Sequence, residues 1–365
     1  MAVNTTDILT VFNAFRHNCT VSETQEFSSG HINDTFFIRT KERTDFVLQR
    51  INAEVFSKIP ELIANKIKVS AHLISKWPEL STEEQHRRVL TFLPTNKGTY
   101  CHQDAYGRFW NLSYYIPDSI SYDTVTTKEI AYEAGRLFGK FIDQTQDFNA
   151  SELVEIIPDF HNVPSRLLQF KNAKRNASAE RLKKAFTEIN QVEELKKEMV
   201  ILQGLKDSGK IPTRVTHNDT KISNALFDLT NKGLCVIDTD TVMPGIVHND
   251  FGDAIRTICN TAVEDEKDLN LVQFNVNYYD AYLKGFLEEL RDSLSDLEIE
   301  YLPLGAKTII FIMGLRFLTD YLAGDIYYKT SYDAHNLVRT KNQFKLIQSF
   351  EAHYDEILKI TKKYS

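Results

Sequence analysis

Cysteine is scarce in this chain, four residues in 365, and Cys19, Cys101, Cys235 and Cys259 stand far apart with no Cys-x-x-Cys pair. That spacing argues against a structural zinc and against a disulfide framework. No run approaches the ~18 consecutive apolar residues of a membrane helix, so no membrane span is expected. The N-terminus, Met-Ala-Val-Asn-Thr-Thr-Asp, lacks the basic region followed by an apolar stretch that marks a secretory signal, and a cytoplasmic location is expected. Positive charge is also in short supply. The formal charge is −7 with basic residues dispersed among acidic ones, so neither a nucleic-acid partner nor a membrane partner is expected. The one basic cluster, Lys171 to Lys184, is followed by Glu193, Glu194 and Glu198 and reads as a solvated helix face. Internal repeats and low-complexity tracts are absent. Protein partners leave no signal.

What is present is ordinary globular material, 42% hydrophobic and 25% charged, in a chain long enough for two domains. The first part is strand-rich. Phe36–Arg39 and Phe46–Arg50 flank a charged turn, further strands are expected near Val89–Leu93 and Phe109–Tyr115, and a helix from about Glu54 to Lys76 lies between. After Pro117 the pattern becomes helical, with amphipathic segments near 128–145, 178–205, 267–293 and 300–323. The fold class expected is α+β: a small antiparallel sheet with one helix over residues 1–116, then a mainly helical part over 117–365 that also carries a hairpin.

That hairpin holds the most informative stretch. His217, Asp219 and Asn224 reproduce the His-x-Asp-x-x-x-x-Asn spacing in which the Asp orients an acceptor hydroxyl and the Asn holds a metal ion. The apolar runs Ala225–Phe227 and Leu234–Ile237 are joined by the turn-rich segment 228–233. Antiparallel pairing about Asn231 would set Asn224 opposite Asp238, about 5 Å away at Cα, where an amide oxygen and a carboxylate can meet around one hard cation. Asp240 would lie on the same face while the chain stays extended. Asp250-Phe251-Gly252 spells the metal motif of protein kinases, yet nothing before it reads as a strand returning toward Asn224. Its carboxylates are expected to cap the following helix or to brace the loop carrying Asp219.

Other parts of a nucleotide site are thinner. The loop around Gly30 and His31 suits phosphate binding and a plain hairpin turn equally well. The strand from Phe46 to Ile51 has no lysine for phosphates. Gln49 takes the inward position beside Arg50, for which Glu54 or Glu61 is a candidate partner. Tyr115 and Ile116, before Pro117, offer backbone groups and apolar surface to an adenine, or simply end a core strand. For an acceptor, Arg316, Asp320 and Tyr327 mix hydrogen-bonding groups with a ring that can cover a sugar face, and the same segment reads equally as the end of an amphipathic helix.

These residues together carry a resemblance. Gly30-His31-Ile32-Asn33, Thr216-His217-Asn218-Asp219-Thr220-Lys221, Ile237-Asp238-Thr239-Asp240-Thr241, Met243-Pro244-Gly245, Asp250-Phe251-Gly252-Asp253, Gly324-Asp325-Ile326-Tyr327 and His335-Asn336-Leu337 resemble the aminoglycoside-phosphotransferase-like kinases, which share the protein-kinase fold. Within that group they are most similar to the N-acetylhexosamine 1-kinases. The resemblance implies ATP and Mg²⁺, an N-acetylated hexosamine as small-molecule substrate, and a sugar 1-phosphate as product. It implies Asp219 as base and Asn224 and Asp238 as metal ligands; Asp240, by its place beyond Asp238, is a candidate to assist the metal, and Lys221 a candidate substrate contact. The rivals are a kinase of the same group acting on homoserine, choline, methylthioribose or an aminoglycoside, and a non-catalytic nucleotide-binding module.

Overall fold

A computed structural model describes residues 5–27 and 32–365. The chain forms two compact units, one of residues 1–120, 144–157 and 226–244, the other of 121–143, 158–225 and 245–365.

The first unit is built on a five-stranded antiparallel sheet of β1 (Val21–Phe27), β2 (Asp34–Thr40), β3 (Phe46–Ile51), β4 (His102–Gln103) and β5 (Phe109–Tyr114), in the order β1-β2-β3-β5-β4. Alternation along each strand divides the two faces. Phe36, Ile38, Phe46, Leu48, Trp110 and Leu112 join Ile8, Val11 and Phe12 of helix α1 (Thr5–Phe12) in one buried cluster. The residues between them turn to the other face, where Gln49 of β3 stands opposite Asn111 of β5. Helix α2 (Ile59–Ser75) begins at the Ile59-Pro60 pair, later than the expected start near Glu54, because the Asn52 side chain accepts from the Glu54 amide at 2.9 Å and holds that segment in a turn. No strand forms over Val89–Leu93. Ser81 caps a short helix α3 (Thr82–Arg88), and the following extended chain makes a single bridge, Phe92 to Ser113.

The hairpin is present, and it belongs to this first unit. Strands β6 (Ser119–Ile120), β7 (Ala225–Asp228) and β8 (Gly233–Val236) form a three-stranded sheet, with Ser119 opposite Asp228. Asp228 builds the turn, its carboxylate accepting from the amides of Thr230 at 2.7 Å and Lys232 at 3.0 Å. The two strands nearly match the expected runs, the first gaining Asp228 and the second running Gly233–Val236 so that Ile237 falls outside it, but neither extends to the site residues. Asn224 closes a 3-10 turn (Ile222–Asn224), Asp238 takes a left-handed φ of 60°, and a second 3-10 turn (Thr239–Thr241) follows. Asp240 is therefore aimed by a turn rather than by an extended strand.

The second unit is helical. It contains α4 (Lys128–Gln144), α5 (Val163–Asn176), α6 (Ala179–Lys184), α7 (Phe186–Met199), α8 (Ile201–Asp207), α9 (Val247–Ile258), α10 (Val276–Leu290), α11 (Asp296–Glu300), α12 (Leu302–Ala323), α13 (His335–Ala352) and α14 (Tyr354–Tyr364). The segment 178–205, expected as one helix, is three, interrupted at Ala185 and Val200. Helix α10 starts only at its Asn275 cap, nine residues into the expected segment, while Gly324 in a left-handed conformation ends α12 where a stop was expected. α12 is apolar and long enough to cross a membrane by composition, but most of its apolar stretch is buried inside the fold, as in a core helix.

The centre of this unit is the crossing of α9 and α12. A Cβ on Gly252 would lie 2.5 Å from the Gly305 carbonyl oxygen and 2.6 Å from Ile309 Cγ1. The glycine of the Asp-Phe-Gly triplet thus lets two helices touch. Gly252→Ala should lower stability by ~1–3 kcal/mol or more, the cost of overpacking, read as a lower urea midpoint with unchanged slope. An unaltered midpoint would show that the helices can part without cost.

Candidate active site

In the second unit, the short strand Arg214–Thr216 leads into the loop of His217, Asn218 and Asp219. His217 is buried with its ring edge-on to Phe138 and Phe141 of α4, at 6.2 and 5.8 Å. The loop is shaped by Asp250 in the first turn of α9. One carboxylate oxygen accepts from the His217 amide at 2.8 Å and the other from the Asn218 amide at 2.7 Å, while the Thr220 hydroxyl donates to the Asp250 carbonyl at 2.6 Å. Those bonds let Asn218 hold a left-handed φ of 63°. Asp250 is fully buried, and burial raises its carboxyl to about 6 against the opposing pull of His217 and the two amides. It braces the loop, the structural role its position suggested.

Asp219 is presented by that loop with about 30% of its side chain exposed. Its Oδ2 accepts from Lys221 Nζ at 2.9 Å and from Asn224 Nδ2 at 2.9 Å, and the same Asn224 amide reaches the Asp219 carbonyl at 2.8 Å. With its nitrogen engaged, Asn224 keeps its amide oxygen as the atom for a cation. Burial alone would raise the Asp219 carboxyl. The Lys221 ammonium, by its charge and its hydrogen bond, together with His217 and Asn224, outweighs burial and holds it below the ordinary carboxylate range.

Asp253, one turn beyond Asp250, behaves oppositely. Burial pushes its carboxyl up, the Arg256 guanidinium opposes, and the charge on Asp219 adds to the rise. Its Oδ1 accepts from Arg256 at 2.8 and 3.0 Å, its Oδ2 is buried without a partner, and Arg256 also holds Glu264 at 3.0 Å. Farther along, the Arg316 guanidinium lies 5.0 Å from the Phe160 ring centre and 5.6 Å from that of Tyr328, whose hydroxyl is buried and unpartnered. Arg166 is lowered to about 10 by burial and then by the charge of Arg316. His161 is held neutral, at about 3, by burial and then by both arginines, with Arg256 adding to them. Tyr327 is largely exposed and packs edge-on against Tyr328. Asp320 is corrected: it is buried, and its two oxygens accept from the amides of Ile326, Tyr327 and Tyr328 and from Asn336 Nδ2, at 2.8–3.0 Å. Its carboxylate shapes the loop that carries Tyr327 and has no acceptor capacity left for a sugar.

The first unit has its own polar cluster. Asp240 is buried, ion-paired with Lys66 of α2 and hydrogen-bonded by Asn33 Nδ2. Lys66 Nζ also donates to Gln49 Oε1 at 3.3 Å, and Asn111 Nδ2 reaches the same oxygen at 3.4 Å. Arg50 pairs with Asp34, directly across the β2–β3 ladder, and not with Glu54 or Glu61. The Tyr115 amide donates to the Asp45 carbonyl at 2.9 Å and its ring stands edge-on to Phe37; Ile116 is buried, its carbonyl accepting from the Ser119 hydroxyl at 2.8 Å. Gly30 and His31 lie outside the described residues.

Residues 23–295 match the family described as "Phosphotransferase enzyme family". The chain belongs to that family. As a member of the phosphotransferase enzyme family it is a transferase, an ATP-binding kinase. Solved structures share its fold at low identity. An amicoumacin kinase is 12% identical with a TM-score of 0.63, covering 94% of this chain and 93% of its own. A microcompartment-associated aminopropanol kinase is 14% identical with a TM-score of 0.63, covering 97% and 99%. An aminoglycoside phosphotransferase from Alicyclobacillus acidocaldarius is 11% identical with a TM-score of 0.60, covering 94% and 95%. The antiparallel N-terminal sheet and helical C-terminal part of this phosphotransferase are those of the kinase-like fold.

Sequence reading passed over Lys66 because helix lysines are usually solvated, and the Asp253–Arg256–Glu264 group because helix charges so spaced read as a surface ladder. Only the near-invisible hint of Lys66 standing among apolar helix positions pointed inward.

Lys221 is the first cation opposing the burial of Asp219. Lys221→Met should therefore raise the Asp219 carboxyl and move the acidic limb of kcat/KM to higher pH than in the wild type. Titration of the nucleotide itself is common to both proteins and cancels when their pH profiles are compared. Superimposed acidic limbs would show that Lys221 does not tune the carboxylate.

Proposed function

We propose that this kinase transfers the terminal phosphoryl group of ATP to the anomeric C1 hydroxyl of an N-acetylhexosamine, N-acetylglucosamine or N-acetylgalactosamine, giving the sugar 1-phosphate. The observation that carries the reading is an ionised Asp219, held between Lys221 and Asn224 in the His-x-Asp-x-x-x-x-Asn loop. An anomeric hydroxyl is more acidic than an ordinary alcohol. A carboxylate that accepts its hydrogen bond and orients it is then sufficient for a loose phosphoryl-transfer transition state.

Asn224, Asp238 and Asp240 are the proposed holders of Mg²⁺, and their hard oxygen donors suit that ion. When bound, it neutralises phosphate charge. Gly30, His31, Gln49, Tyr115 and Ile116 are assigned to the nucleotide, in keeping with a nucleotide-binding part over 1–116 and an acceptor-binding part over 117–365. Lys221, Arg316 and Tyr327 are assigned to the sugar. A cytoplasmic setting, where ATP is available, belongs to the same proposal.

The charge of the second unit favours a neutral acceptor over an amine. Arg166 and Arg316 feel one another's charge, and the rings of Phe160 and Tyr328 lie beside Arg316. A cationic aminoglycoside or amino alcohol would meet like charge there, which is the more costly the drier the site. The buried, unpartnered Tyr328 hydroxyl and Asp253 Oδ2 are groups that a polyhydroxylated ligand satisfies.

Two experiments test the reading. Asp219→Asn should depress turnover by ~10²–10⁴, the usual worth of a general base, with ADP affinity near that of the wild type; wild-type turnover would remove Asp219 from the mechanism. A panel of N-acetylhexosamines, free hexosamines, aminoglycosides and amino alcohols, with the product phosphate located by phosphorus NMR, should place it on C1 of an acetylated sugar. Turnover confined to amines, or phosphate on another carbon, would replace the acceptor named here.

A further inference from the structure

Nucleotide phosphates need a cation, and β3 supplies none: the residue whose side chain faces into the polar cluster is Gln49. Arg50, its neighbour, is committed to Asp34. Helix α2 delivers an ammonium to the same place. Lys66 is about 3% exposed, its Nζ 3.3 Å from Gln49 Oε1, 4.9 Å from the Phe92 ring centre and paired with the equally buried carboxylate of Asp240. In protein kinases the strand carries the lysine and the facing helix an acid. Here the helix carries the amine and the strand an uncharged amide.

Stability alone is a weak reason for this pair. Burying an ammonium and a carboxylate costs several kcal/mol per ion after relaxation, and apolar replacement of such a pair is often neutral. A second use for the ammonium explains why it is held, dry and oriented, beside Asp240.

We propose that Lys66 is the phosphate-binding cation of the nucleotide site, carried by the helix instead of the strand, and that in the nucleotide-free protein Asp240 occupies its ammonium where a phosphate oxygen of ADP or ATP binds. This rests on the kinase reading. Gln49 then acts as an uncharged rest that fixes the direction of the amine, and Phe92 shields it from water.

The test is calorimetric titration with ADP in EDTA, so that no metal ligand contributes, with adenosine as the phosphate-free probe. Lys66→Met should weaken ADP by about 10- to 100-fold, the loss of a charge-assisted contact, and leave adenosine within about twofold. The double variant K66M/D240N removes both charges and leaves no unpaired carboxylate to unfold the unit. Loss of Asp240 by itself lessens repulsion of ADP, so a ~10-fold weaker ADP affinity in the double variant is traceable to Lys66. ADP affinity equal to or tighter than wild type in the double variant overturns the proposal, as does equal weakening of ADP and adenosine in either variant. Wild-type protein that binds neither ligand, even with Mg²⁺ restored, overturns the kinase reading itself.

Discussion

Everything at the loop that presents Asp219 depends on one buried carboxylate accepting two consecutive backbone amides. Asp250 is satisfied by the His217 and Asn218 N–H groups and anchored by Thr220. An acid in that position can be replaced by nothing smaller without leaving two buried donors unpaired, each worth ~1–3 kcal/mol. The positive φ of Asn218 and the exposure of Asp219 both follow from it. Because Asp250 rides on α9, and α9 touches α12 through Gly252 and Gly305, the loop is tied to a close helix crossing.

Three neighbouring acids on or beside this loop have been given three fates by their surroundings. Asp219 gains a lysine and an amide and stays ionised. Asp250 is raised to about 6 by burial, which the pull of His217 and two amides does not offset. Asp253 gains an arginine but shares the field of Asp219 and is raised as well. Environments that push the affinities of nearby carboxyls apart are the arrangement by which a single ionised group is singled out for chemistry. In the first unit the logic is reversed: Asp240 and Lys66 neutralise one another in a dry site.

The legible parts were those written in local spacing. The hairpin was readable because a six-residue polar turn separates two apolar runs, and the sheet because Phe36, Ile38, Phe46 and Leu48 alternate. Helices α4 and α12 were readable from periodicity over many residues. The strand expected at Val89–Leu93 is reduced to one bridge to β5, where the Leu93 amide donates to the Leu112 carbonyl at 2.8 Å and the Tyr114 amide to the Thr91 carbonyl at 3.0 Å. Asp320 looked like a sugar ligand because acid near tyrosine and arginine has the right composition; four donors from one loop and one asparagine claim it instead.

The sequence by itself determined which atoms are available for chemistry: the His-x-Asp-x-x-x-x-Asn spacing, the paired aspartates after the hairpin and the missing strand lysine are facts of covalent order. Tertiary structure decided which of those charges is opposed, bare or consumed. That depends on groups such as Lys66 and Asp240, 174 positions apart, or His217 and Asp250, 33 apart. Protonation and hydrogen-bond capacity are set by distance and dielectric in space, and a one-dimensional pattern carries neither.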